Sequence, residues 1–215
     1  MRHIDILNNV LSRLREDPAL TVSDNAYTAM ISDFVNDAMD MTQSVHNWHS
    51  LFTVIDITTV AGTQTYTLSG LGQMGQVYFA YNDDTDGELK SSTLEQIIRN
   101  TNMGGGTGGS PSIYAYDSVD ASDDPVVTVW PIPTAEQSLK FHVKRHQGPI
   151  TDGTVEVLMP EQPVIQLALA MAKEERGEDG SNGPSNAMSK AKAVLADYVA
   201  LDRERHPELM TWEVE

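Results

Sequence analysis

The hydrophobic period changes twice along this chain, and that constrains the fold more than any motif. Apolar side chains recur three and four apart as far as Val45, give way to β-branched and alternating runs from Leu51, and return to helical spacing after Pro160. A chain patterned in this way is α+β, with helices from its two ends brought together around a β-rich insertion.

Ile4, Leu7, Val10, Leu11 and Leu14 form one amphipathic stripe that Pro18 closes. A longer stripe follows in Tyr27, Met30, Ile31, Phe34, Ala38, Met41 and Val45, with Ser23 or Asp24 available as its cap. After Pro160, Val164, Ile165, Leu167, Ala168, Leu169, Met171 and Ala172 cover so much of the circumference that this helix should be buried on most sides. Pro184 suits a first helical position, and Ala187, Met188, Ala191, Val194, Leu195, Tyr198 and Leu201 carry the last stripe. The expected architecture is a four-helix bundle built from the N- and C-terminal helical pairs, with an inserted antiparallel β domain and an extended C-terminal arm. Its parts are residues 1–50 and 160–202 for the bundle, 51–159 for the β insertion and 203–215 for the arm.

Within the insertion, Thr53 to Val60 and Gln64 to Leu68 flank the Ala61-Gly62 turn and read as a hairpin. Further strands are expected at Gln76 to Tyr81, Ser112 to Tyr116, Val126 to Trp130, Leu139 to His146 and Thr154 to Leu158. Ser92-Thr93-Leu94-Glu95 has a capping-box pattern that opens a short helix through Ile98.

The 215 residues suffice for one ordinary domain or two small ones, and 40% hydrophobic content suffices for a core. With no cysteine, disulfides, iron-sulfur clusters and thiol nucleophiles are excluded. No run approaches the ~20 apolar residues that span a bilayer, so a soluble protein made in a cytoplasm is expected. The 31 acidic against 14 basic residues, a net charge of −17, oppose binding to a nucleic-acid backbone, which needs clustered Lys and Arg to displace counterions. Acid-rich walls do have one use toward a polyanion: they let it pass without sticking.

The motifs that carry chemistry are thin. Gly104-Gly105-Gly106-Thr107-Gly108-Gly109 lacks the Gly-Lys-Ser/Thr ending that places a lysine and a hydroxyl at a phosphate, and reads as a loop. Asn82-Asp83-Asp84-Thr85-Asp86-Gly87 opens like a calcium loop, but Thr93 stands at the twelfth position where a bidentate Glu belongs. His46 and His49 flank Trp48, and His142 and His146 would share a strand face, with no third ligand in either place. Asp83-Asp84 and Asp123-Asp124 lack an apolar setting that would raise a carboxyl pKa for acid catalysis. A structural protein with no catalytic residue, metal or cofactor is expected.

The last stretch runs Asp202-Arg203-Glu204-Arg205-His206-Pro207-Glu208-Leu209-Met210-Thr211-Trp212-Glu213-Val214-Glu215. Pro207 disfavours helix beyond His206, yet four apolar side chains follow, where termini usually turn polar. Such an arm is either a docking surface or a tail folded back over its own body.

Six segments, in order, carry a resemblance: Trp48-His49-Ser50-Leu51, Ala61 to Leu68, Gly109 to Tyr114, Val129-Trp130-Pro131-Ile132-Pro133, Glu174 to Gly180, and Asp202 to Glu208. From Trp48 onward the chain resembles the head-to-tail adaptors of short-tailed phages, the tail tubular protein A group. The acidic loops Asp83 to Glu88 and Asp120 to Asp124 are particular to this chain. The resemblance implies a virion protein assembled in the host cytoplasm as a ring, usually of twelve subunits, between the portal and the tail nozzle. It implies that DNA passes through the ring during ejection without specific binding. It further implies that Arg203, Arg205, His206, Pro207, Leu209, Met210 and Trp212 contact the portal, while the β loops face nozzle or fibre proteins. Two alternatives stand beside it. A tail stopper or completion protein would close the channel; a carbohydrate-binding tail or fibre component would use Tyr78, Tyr81, Tyr114, Tyr116 and Trp130.

Overall fold

The computed structural model describes residues 1–103, 108–177 and 186–206. Along the chain run α1 (His3–Arg13), α2 (Ala26–Val45), a 3-10 turn (His49–Leu51), β1 (Phe52–Thr58), β2 (Thr65–Thr67), β3 (Gln76–Asn82), β4 (Gly87–Glu88) and β5 (Lys90–Ser91). Then come α3 (Leu94–Met103), β6 (Gly108–Gly109), β7 (Ile113–Val119), β8 (Pro125–Trp130), β9 (Ile132–Pro133), β10 (Ser138–Lys144), α4 (Glu161–Glu175) and α5 (Asn186–Arg205). The protein is α+β, with five α-helices and largely antiparallel sheets among the described residues. It divides into two units, one made of residues 1–51 and 147–215, the other of 52–146.

In the helical unit α4 is the hub, packing against α1, α2 and α5, while α1 also packs on α2. Val164, Ile165, Leu167 and Ala168 of α4 are wholly buried, as its apolar circumference dictates. Pro163 is accommodated in the first turn of α4, where a missing N–H leaves no intrahelical bond unmade.

The cap of α2 is neither Ser23 nor Asp24. Asn25 accepts from the Thr28 N–H at 2.9 Å, and the Thr28 hydroxyl accepts from the Asn25 N–H, a reciprocal capping box. Asp24 instead accepts from the Thr21 N–H at 3.1 Å and from Leu20. The inward face of α2 is also rotated from the expected stripe. Ile31, Val35, Ala38 and Met39 are buried, whereas Met41 and Val45 are 38% and 56% exposed. Polar Thr42 and Gln43 take their inward places because each finds a backbone carbonyl, Ala38 at 2.7 Å and Gln147 at 3.1 Å. Residues 147–159, grouped with the β insertion by sequence, lie in the helical unit. There Thr154 to Leu158 forms no sheet strand: Glu156 makes an isolated bridge to Arg2, and Asn36 exchanges two hydrogen bonds with Ile150.

The β unit has one four-stranded sheet in the order β1-β10-β3-β4 and another in the order β2-β8-β7-β5, with β6 and β9 as a separate parallel pair. Alternate residues Leu139, Phe141 and Val143 of β10 point inward to meet Val127, Val129 and Tyr114 in one core. The Tyr114 and Phe141 rings pack edge to face, with centroids 5.5 Å apart. The expected hairpin across Ala61-Gly62 does not form. β1 pairs with β10 and β2 pairs with β8, so this turn carries the chain from one sheet to the other. The crossing is held by Thr59 N–H to the Gln137 carbonyl at 2.8 Å, Gly62 N–H to the Pro133 carbonyl at 2.8 Å, and the Tyr66 hydroxyl to the Thr63 carbonyl at 2.8 Å.

Phe52 at the start of β1 is the register partner of Lys144 at the end of β10. The insertion therefore begins and ends on adjacent strands. On β3 a bulge breaks the register between His142 and Val143 of β10, and Tyr78 and Phe79 are both about half exposed.

Candidate functional site

α5 spends little of its length on the core: Ala191 and Leu195 are its only buried residues among those described, and Leu201, placed on the inward stripe by sequence, is 40% exposed. The end of α5 is nevertheless anchored. The Asp202 carboxylate lies 3.0 Å from His46 Nε2 and accepts the His49 backbone N–H at 3.3 Å. His46 packs edge-on against the buried Trp48 ring, whose indole N–H donates to the Thr42 carbonyl at 2.7 Å. His206 stacks on His49 with ring centroids 3.6 Å apart. The last turn of α5 is thereby held against the end of α2 and the 3-10 turn.

Of the residues expected to meet the portal, Arg203, Arg205 and His206 are exposed on this anchored turn. Pro207, Leu209, Met210 and Trp212 lie outside the described residues. Sequence reasoning did not assign Asp202 its anchoring role. The residue stands in a quoted segment, but its partner His46 is 156 positions away, and no local spacing reports such a pair.

Beside this turn, an open cleft of about 360 Å³ lies between Val45 and one face of α5. Val45, Leu195 and Val199 make it apolar, and the small side chains of Ala196 and Ala200 leave it open. Lys192 and Arg203 are its two charged residues, and neither is in an ion pair among the described residues.

The acidic loops have structural work. Asp83 pairs with Lys140 at 2.7 Å, and Asp84 accepts the Ser138 N–H at 2.6 Å, tying the β3–β4 turn to β10. Asp124 accepts from the Gly70 and Gly72 N–H groups at 2.8 and 2.9 Å. Gly72 has a φ of +76°, and a Cβ there would meet the His146 carbonyl oxygen at 2.3 Å. His146 lies beyond the end of β10, so it shares no strand with His142, which packs near the Tyr81 ring instead. Tyr114 is buried in the β core and the Tyr116 hydroxyl accepts the Val77 N–H, so the aromatics proposed for a sugar site are not one platform. Gly108 and Gly109 of the glycine loop form β6. No cluster of three or more His, Asp or Glu side chains suited to a metal occurs among the described residues. No helix there is long and apolar enough to cross a membrane.

In a comparison with protein families, a family model described as SU10 adaptor protein matches residues 1–210. The chain belongs to the SU10 adaptor protein family. This agrees with the resemblance to phage head-to-tail adaptors and makes the protein a structural component of the virion that associates with other head and tail proteins. A comparison with curated proteins finds no match. As an SU10 adaptor protein, the chain presents Arg203, Arg205 and His206 exposed at the end of α5.

Proposed function

We propose that this SU10 adaptor protein forms a ring, of about twelve copies, that joins the portal to the tail nozzle and lines the channel for DNA. The observation that carries this reading is the family match over nearly the whole chain, from residue 1 to residue 210. In this reading α1, α2, α4 and α5 act as a four-helix bundle, residues 52–146 as the β-rich insertion and residues 203–215 as the docking arm. Arg203, Arg205, His206, Pro207, Leu209, Met210 and Trp212 engage the portal, and the β loops engage nozzle or fibre proteins. The Asp202 turn, hydrogen-bonded to His46 and the His49 N–H, supports the assignment, because an anchored base limits the ordering cost of a segment that settles on binding. Twelve copies carry roughly −200 charges, and the share facing the bore repels phosphates and limits friction during ejection. No cofactor or metal takes part, DNA is not bound specifically, and assembly takes place in the host cytoplasm.

Native mass of the purified chain, alone and mixed with the portal of the same phage, tests this. The expected result is a portal complex carrying about twelve copies; no association with an assembled portal would overturn it.

A further inference from the structure

The cleft along α5 lacks a described occupant, and three features define what fits it. Its floor of Val45, Leu195 and Val199 is apolar, its charged residues Lys192 and Arg203 are both basic, and they lie on one face of α5. Eleven residues of helix separate these two cations, a rise of about 16 Å. An acidic, apolar, extended segment with its carboxylates about that far apart would complement all three.

The chain carries such a segment immediately after α5. Residues 208–213 contain Leu209, Met210 and Trp212 between Glu208 and Glu213, with no basic residue. Five extended residues span about 17 Å. The tether also fits: α5 ends at Arg205, and Pro207 disfavours further helix, so a reversal there returns Glu208 toward Arg203 and Glu213 toward Lys192.

We propose that in the unassembled subunit this cleft binds the chain's own terminal segment 208–213, running antiparallel to α5, with its apolar side chains over Val45 and Val199. The cleft is a store for the docking arm, and a partner must take the segment from it. The inference concerns the free subunit alone, so its failure would leave the adaptor reading untouched.

The test is Trp212 fluorescence in the full-length monomer, read as the difference between the chain and its Trp212→Phe variant. The expected result is blue-shifted emission and acrylamide quenching several-fold weaker than for a free indole. Lys192→Glu at the rim and Ala196→Arg on the exposed floor should each restore free quenching while the helical circular dichroism stays unchanged. Adding Glu213→Lys to Lys192→Glu should return the shielding. Free quenching of Trp212 in the unsubstituted monomer would overturn the proposal, as would shielding indifferent to both cleft variants. Shielding seen only at concentrations where native mass shows a dimer would also overturn it, by placing the segment on a second copy.

Discussion

His3 is wholly buried at the start of α1, and neither ring nitrogen has a hydrogen bond among the described residues. Burial disfavours the imidazolium and holds its pKa below the ordinary value near 6.5. The sign follows directly. Below about pH 6.5 the unfolded chain takes up a proton that the folded chain refuses, so folding weakens as pH falls and is unaffected above that point. One proton taken up by the unfolded chain alone sets the upper limit of this slope, about 1.4 kcal/mol per pH unit. Urea midpoints at about pH 7.5 and about pH 5.5 should diverge, and His3→Leu should remove this part of the divergence. At Asp202 the expectation is different in kind. Asp202→Ala removes the partner of His46 and of the His49 N–H, and should cost about 1–3 kcal/mol. A double-mutant cycle with His46→Ala should show coupling of about 0.5 kcal/mol or more. Nothing near either residue in sequence announces these roles, because burial and long-range pairing are properties of the packed chain.

Among the elements, the helices were the most legible. The near-continuous apolar run of α4 specified a hub, since a helix apolar all round has to be covered on several sides. Leu167→Ala should therefore cost about 2–5 kcal/mol in chemical denaturation. The start of α2 was off by a residue because Ser23, Asp24 and Asn25 are all good caps, and only geometry selects Asn25. Asn25→Ala should cost about 1 kcal/mol, whereas Ser23→Ala should leave the midpoint within about 0.5 kcal/mol. The strands β3, β7, β8 and β10 were visible as β-branched or alternating runs, but not their pairing. A Gly turn between two such runs suits a hairpin or a crossing between sheets equally, and contacts with Gln137 and Pro133, far along the chain, decide it. α3 extends to Met103, beyond the expected Ile98, and its capping pair is Thr93 with Gln96, one residue on from the pattern at Ser92.

At the scale of the whole molecule, Phe52 and Lys144 make the β unit a cassette with adjacent ends. It also has its own core. Residues 52–146 expressed alone should fold, with dispersed amide resonances and a cooperative thermal transition; a spectrum of collapsed, random-coil shifts would show that the helical unit is needed. Deleting 207–215 should leave the described fold intact and abolish portal association, as read by circular dichroism and native mass. The period change marked where the helical and β parts begin, but assigning 147–159 needed the pairings to Arg2 and Asn36. The adjacency of Phe52 and Lys144 has a mechanical side as well. Tension pulling one unit away from the other enters the β unit at these two partners, at the same end of an antiparallel ladder. The β1–β10 rungs would then peel in succession instead of sharing the load, so this seam should yield at low force however high the melting temperature.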